Sequence, residues 1–168
     1  MKKLLLGLLA LGLTTQFYAQ VINDGMLPEV EVRATNYKYL NSVDNSEAAV
    51  SVKLLEDMVA KYDIKSFELY EDGSDFYRIY FYIPDGMIVA AYDRDGKILY
   101  TIEKFKDIAL PYSVSSSVAE RFPGWNIAKD VYKVSYTADK ATKKSYKLVL
   151  KNGKKTIRIK VDEDGVIL

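Results

Sequence analysis

Two stretches of this chain align without a gap: FYRIYFYIPDGMIVAAYDRDGKIL at residues 76–99 and SYKLVLKNGKKTIRIKVDEDGVIL at residues 145–168. Seven of the 24 aligned positions are identical, including the pairs Asp93/Asp162, Asp95/Asp164 and Gly96/Gly165. A repeat of this length restricts the fold to a unit that can be built twice and packed against itself. In each copy two alternating runs are joined by a turn, IPDGM or KNGKK. Asp-Gly and Asn-Gly between such runs mark hairpins, because glycine accepts the positive φ that tight hairpin turns demand. A second turn, DRDG or DEDG, leads into KIL or VIL. Each copy is therefore a β-meander.

Upstream of each meander the period becomes helical. Val50, Leu54, Leu55, Met58, Val59 and Tyr62 fall on one face, with Asn45 or Ser46 available as a cap. Further along, Pro111 suits a first helical turn, Val114, Val118 and Phe122 recur every four residues, and Pro123-Gly124 ends the pattern. A strand-like run follows each helix, IKSFELY and then DVYKVSY. The expected architecture is α+β: tandem αββββ repeats over residues 46–107 and 108–168, forming one curved antiparallel sheet with two helices packed on one face.

The beginning of the chain points to export. Lys2 and Lys3 precede an apolar run from Leu4 to Leu13, and Ala19 supplies the small residue of a cleavage site before Gln20. This is the pattern of a secretory signal peptide over residues 1–19, too short for a mature membrane span. No cysteine stands at the cleavage site to carry a lipid. The expectation is a soluble periplasmic or secreted protein, not a lipoprotein, with no membrane insertion after cleavage. Residues 20–45 form an N-terminal segment in which LPEVEVRATNYKYLN alternates like a strand; an added edge strand, a partner-docking arm and an ordinary covering segment all remain open.

Cysteine and histidine are absent from the sequence. Nucleophiles that depend on a Ser-His or Cys-His pair, and zinc sites built on imidazole or thiolate, are thereby excluded. Residues 20–107 carry 10 basic and 17 acidic side chains and residues 108–168 carry 12 and 6, so near-neutrality hides opposite charges of −7 and +6. Such asymmetry arises from solvated faces or from halves that attract each other, and it also suits an anionic partner.

The run LPYSVSSSVAERFPGWNIAKDVYKVSY, with YKLVLKNGKKTIRIKVDEDGVIL after it, resembles the PepSY-like family of secreted bacterial proteins, described as similar to β-lactamase-inhibitor protein. The likeness covers residues 109–168 through LPxxV, FPxW and DxDG elements, and reaches residues 46–104 through the internal repeat. It implies tandem αβ units in one sheet and a noncatalytic role outside the cytoplasm. It supplies no catalytic residues, and without the cysteines of that inhibitor it implies no β-lactamase inhibition.

The Asp-x-Asp-Gly loops invite a calcium reading, yet a calcium-binding hand needs about twelve loop residues ending in a bidentate acid. Here Ile-Leu follows instead, so a turn in which Asp bonds its own backbone is expected. The serines of SVSSS lie on a predicted helix with no base beside them, and no catalytic residue, metal or cofactor is assigned. Trp125 is expected to pack against Phe122.

Function then rests on surface chemistry. Alternation sends Tyr77, Ile79, Phe81, Ile88, Ala90 and Tyr92 to the core in one copy, and Tyr146, Leu148, Leu150, Ile157, Ile159 and Val161 in the other. The opposite face offers Tyr80, Tyr82 and Met87 as apolar anchors and Lys147, Lys151, Arg158 and Lys160 as a cationic flank. A monomeric module binding a protein or peptide there, with an inhibitor-like role included and nucleic acid excluded, is the leading expectation. Its alternatives are an envelope enzyme of unfamiliar carboxylate type and a purely structural envelope protein; the N-terminal segment could also cover the aromatic half.

Overall fold

The structure is a computed structural model that describes residues 36–168, apart from Leu69 and Asp72. The expected signal peptide and most of the N-terminal segment lie outside the described residues. Among the described residues there are three helices: α1 (Tyr37–Val43), α2 (Val50–Lys61) and α3 (Tyr112–Arg121). Six strands, β1 (Tyr77–Ile83), β2 (Gly86–Tyr92), β3 (Ile98–Lys106), β4 (Asn126–Thr137), β5 (Lys140–Asn152) and β6 (Lys155–Val161), make one antiparallel sheet in chain order. The class is α+β.

The aligned segments share one hairpin register. Tyr77 pairs with Tyr92 and Ile83 with Gly86 in β1–β2, and the corresponding residues Tyr146 with Val161 and Asn152 with Lys155 in β5–β6. The turns that follow also match. Asp93 Oδ1 accepts from the Asp95 and Lys97 amides, and Asp162 Oδ1 from those of Asp164 and Val166. Gly96 and Gly165 take φ of 79° and 82°, which side-chain-bearing residues adopt at a cost. These aspartates thus serve the turns.

The hairpin glycines divide their work differently. Gly153 has positive φ, but Gly86 does not. A Cβ on Gly86 would sit 2.3 Å from the buried Phe105 ring, so this glycine lets β3 approach closely. From Phe105 a ladder of stacked rings crosses the sheet, through Tyr132 at 6.2 Å and on to Tyr146 at 4.5 Å. Buried side chains of all three helices join the sheet's inner residues in a single cluster, including Tyr39, Leu55, Val59, Val114 and Val118. Trp125 and Phe122 pack at its margin.

Several expectations need correction. Six strands replace the eight of two αββββ units. The run expected as a strand at residues 64–70 begins instead with a 3-10 turn (Ile64–Ser66), and none of its described residues is in a strand. Asp63 accepts from the Lys65 amide and the Ser66 hydroxyl donates to the Asp63 carbonyl, local bonds that compete with a ladder. After β6 the chain forms only the isolated bridge Val161–Ile167, where the first copy continues into the nine residues of β3. The end of the strand-like segment, residues 37–41, lies in the helix Tyr37–Val43.

The α2 helix is also turned relative to its expected face and starts later. Its cap position is Ala49, and Asn45 accepts from the Glu47 amide in a preceding turn. Val52, Leu55, Glu56 and Val59 point inward, while Val50, Leu54 and Met58 are exposed. An acidic residue occupies a core position that hydrophobicity would assign to its neighbours.

Candidate functional site

Strand alternation and register build the helix-free face row by row. In one row Tyr80, Val89, Ile102, Ser135 and Lys143 are successive cross-strand partners; in the next, Tyr82, Met87, Lys104, Lys133 and Ser145. Tyr80 and Tyr82 are 50% and 66% exposed, and their rings lie nearly parallel at 6.3 Å. Met87 is half-buried opposite Tyr82, and Ile102 extends the apolar patch at 57% exposure. The sequence-predicted anchors therefore do meet.

The predicted cations separate from them. Lys147 pairs directly with Lys160 across β5–β6, Arg158 opposes Val149, and Lys151 opposes Thr156 at the end of the sheet. Lys147, Arg158 and Lys160 line a groove of about 620 Å³ together with Ile167 and Leu168; Lys151 does not. Because β1 and β5 are four strand spacings apart, this flank lies about 19 Å from Tyr80 and Tyr82.

The intervening space is filled by residues that the sequence reading missed. Lys104 and Lys133 face each other across β3–β4, and Lys143 lies diagonally beside them on β5. With Met87, Ile102, Ser135 and Ser145 they line a central depression of about 330 Å³. Lys106 and Lys129 continue the field. No outward residue of the six strands is acidic.

Like charges directly opposite in a sheet oppose folding. Lys133→Glu, which turns the Lys104–Lys133 repulsion into attraction, is expected to stabilise the fold by about 0.5–1 kcal/mol. Thermal unfolding at low ionic strength measures this, and a lowered midpoint would contradict it.

A second polar cluster lies on the helix side. Glu103 Oε1 accepts from the Tyr39 hydroxyl at 2.9 Å and the Thr101 hydroxyl at 2.7 Å. Burial, and then the adjacent Glu103 carboxyl, push Glu56 up to about 9. Burial also raises Glu103, against the bonds from Thr101 and Tyr39 and the nearby Lys144. Lys144 is ion-paired to Glu163 at 3.0 Å and donates to the Asp44 carbonyl. Paired carboxyls with perturbed protonation suit acid–base work in an open cleft. Glu56 and Glu103 are buried in the core, at 4% and 1% exposure. The sequence hides this pair because 47 positions of chain separate its members.

The serines of α3 are structural too. Ser113 and Ser117 donate to the Glu163 and Gly165 carbonyls and dock the last turn on the helix. Among the described residues no helix is long and apolar enough to cross a membrane. Comparison of the chain with family models, with curated proteins and with solved structures finds no match.

Proposed function

We propose that this chain is a noncatalytic binding module of PepSY-like type, acting in the periplasm or outside the cell, and that its helix-free sheet face engages a protein or peptide. In this reading the matched hairpins and turns descend from a tandem αβ repeat in one curved sheet. The observation that carries the functional reading is the exposed patch of Tyr80, Tyr82 and Ile102, continuous with a cationic field in which no outward strand residue is acidic. Exposed aromatic side chains beside cations have the composition of a protein-binding surface. A contiguous apolar patch on such a surface favours association with a partner.

The test is a comparison of variants against a partner captured from an envelope extract with the purified mature chain. Tyr80→Ala and Tyr82→Ala are each expected to weaken binding by more than about 1 kcal/mol. Lys151→Ala, at the margin of the face, should alter mainly the association rate and its salt dependence. Unchanged affinity in both tyrosine variants would refute the assignment.

A further inference from the structure

We propose that the partner presents an extended acidic segment along one side of which carboxylates alternate with apolar residues, and that its carboxylates seat between Lys104, Lys133 and Lys143. This rests on the peptide-binding reading of the same face and names the chemistry that reading leaves open. The central depression carries the inference. Ser135 and Ser145 lie among the three lysines, each a direct cross-strand neighbour of one of them: Ser135 of Lys143, and Ser145 of Lys133. Ammonium and hydroxyl donors thus converge on one spot, which Met87 and Ile102 border with apolar surface. No outward strand residue is acidic, and the turn carboxylate Asp85 borders the neighbouring pocket beside Lys104 and Lys106, not the depression that Lys133 and Lys143 line, so an external anion is what suits this spot. A bound carboxylate relieves the Lys104–Lys133 repulsion, and that favours the complex over the free protein.

Spacing and cation type select a polypeptide over a phosphate polymer. Along each strand, outward residues recur every 6.6–6.8 Å or so, the interval at which an extended peptide presents side chains on one side. Apolar Val131 and Val149 alternate with lysines on β4 and β5, which fits alternating apolar and acidic side chains. A phosphodiester backbone has nothing to place on those valines. Arginine, the residue suited to forked phosphate recognition, occurs on β3–β6 of this face only at Arg158, and elsewhere the cations are lysines.

The experiment titrates the mature protein, followed by calorimetry, with a capped nine-residue peptide Glu-Ser-Val-Ser-Glu-Ser-Val-Ser-Glu, whose glutamates and valines alternate along one side of the extended chain. A glutamine–valine counterpart, a twelve-residue oligothymidylate and phosphatidylglycerol vesicles are run beside it. The variants are a Lys104→Ala/Lys133→Ala/Lys143→Ala triple, Tyr80→Ala, and a control triple at exposed cations off the face, Lys38→Ala/Lys65→Ala/Lys97→Ala. The glutamate peptide is expected to bind at least about tenfold more tightly than the glutamine peptide, and to lose about tenfold in the first triple but little in the control. Equal affinity for the two peptides, both weakened by Tyr80→Ala, overturns the acidic segment and leaves the peptide-binding face standing. Equal losses in the two triples also overturn it, as a net-charge effect. Tighter binding of oligothymidylate or vesicles, abolished in the first triple, assigns the site to phosphates instead. If neither peptide binds, the acidic segment falls; the face falls with it only if a captured partner is also indifferent to Tyr80→Ala.

Discussion

Asn36→Ala is expected to destabilise the protein by about 3–5 kcal/mol, since each buried polar group left without its partner costs roughly 1–3 kcal/mol. Asn36 is buried at the start of α1, where one side chain serves three backbone groups. Its Nδ2 donates to the Ala60 carbonyl at 3.1 Å and the Gly96 carbonyl at 3.0 Å, and its Oδ1 accepts from the Ile98 amide at 2.8 Å. The end of α2, the first Asp-Gly turn and the start of β3 are thereby tied together. Alanine leaves all three backbone groups without their side-chain partner. Exposed Asn152→Ala, at the β5–β6 turn, should change stability by no more than about 0.5 kcal/mol. Urea unfolding measures both, and a loss below about 1 kcal/mol at Asn36 would contradict the three-way tie.

The second large effect is on pH dependence. Glu56 keeps its proton in the folded state up to about 9, whereas an ordinary glutamate releases it near 4.5. The folded protein therefore binds more protons than the unfolded chain between those values, and stability falls as pH rises across that window. The contribution is whole below about 4.5 and gone above about 9. Asp130, raised from 3.8 to about 6 chiefly by burial, adds to the fall at its acidic end, and Glu103 acts in the same direction. One such proton gives a slope of about 1.4 kcal/mol per pH unit. Unfolding midpoints should decline from pH 5 to pH 8.5. Glu56→Gln, which imitates the protonated carboxyl, should flatten that decline and exceed the parent protein at pH 8. Parallel curves for the two proteins would contradict the buried proton.

The parts of this fold that were legible in the sequence are those governed by local chemistry. Asp93-x-Asp95-Gly96 and Asp162-x-Asp164-Gly165 announce their turns because the aspartates bond amides two and four residues ahead. Alternation then fixes which residues of β1, β2, β5 and β6 face inward. What remained hidden depends on partners distant along the chain. Glu56 reads as a solvated helical residue until Glu103 and Tyr39 surround it, and this is why Leu54 and Met58 were assigned inward. Lys104 and Lys133 each read as ordinary outward lysines, and only the β3–β4 register sets them face to face. The aromatic end of the surface was therefore foreseen from within one hairpin, while its cationic centre needed the order of the whole sheet.

The most direct measurement of the binding-face assignment is a lysine acylation footprint, read by mass spectrometry with and without the captured partner. Lys104, Lys133, Lys143 and Lys147 lie on the proposed face, and Lys61, Lys65 and Lys97 lie on helices or turns away from it. The partner is expected to slow acylation at the first four and leave the other three unchanged. Protection confined to Lys61, Lys65 and Lys97 would place the partner on the helical side and contradict the assignment.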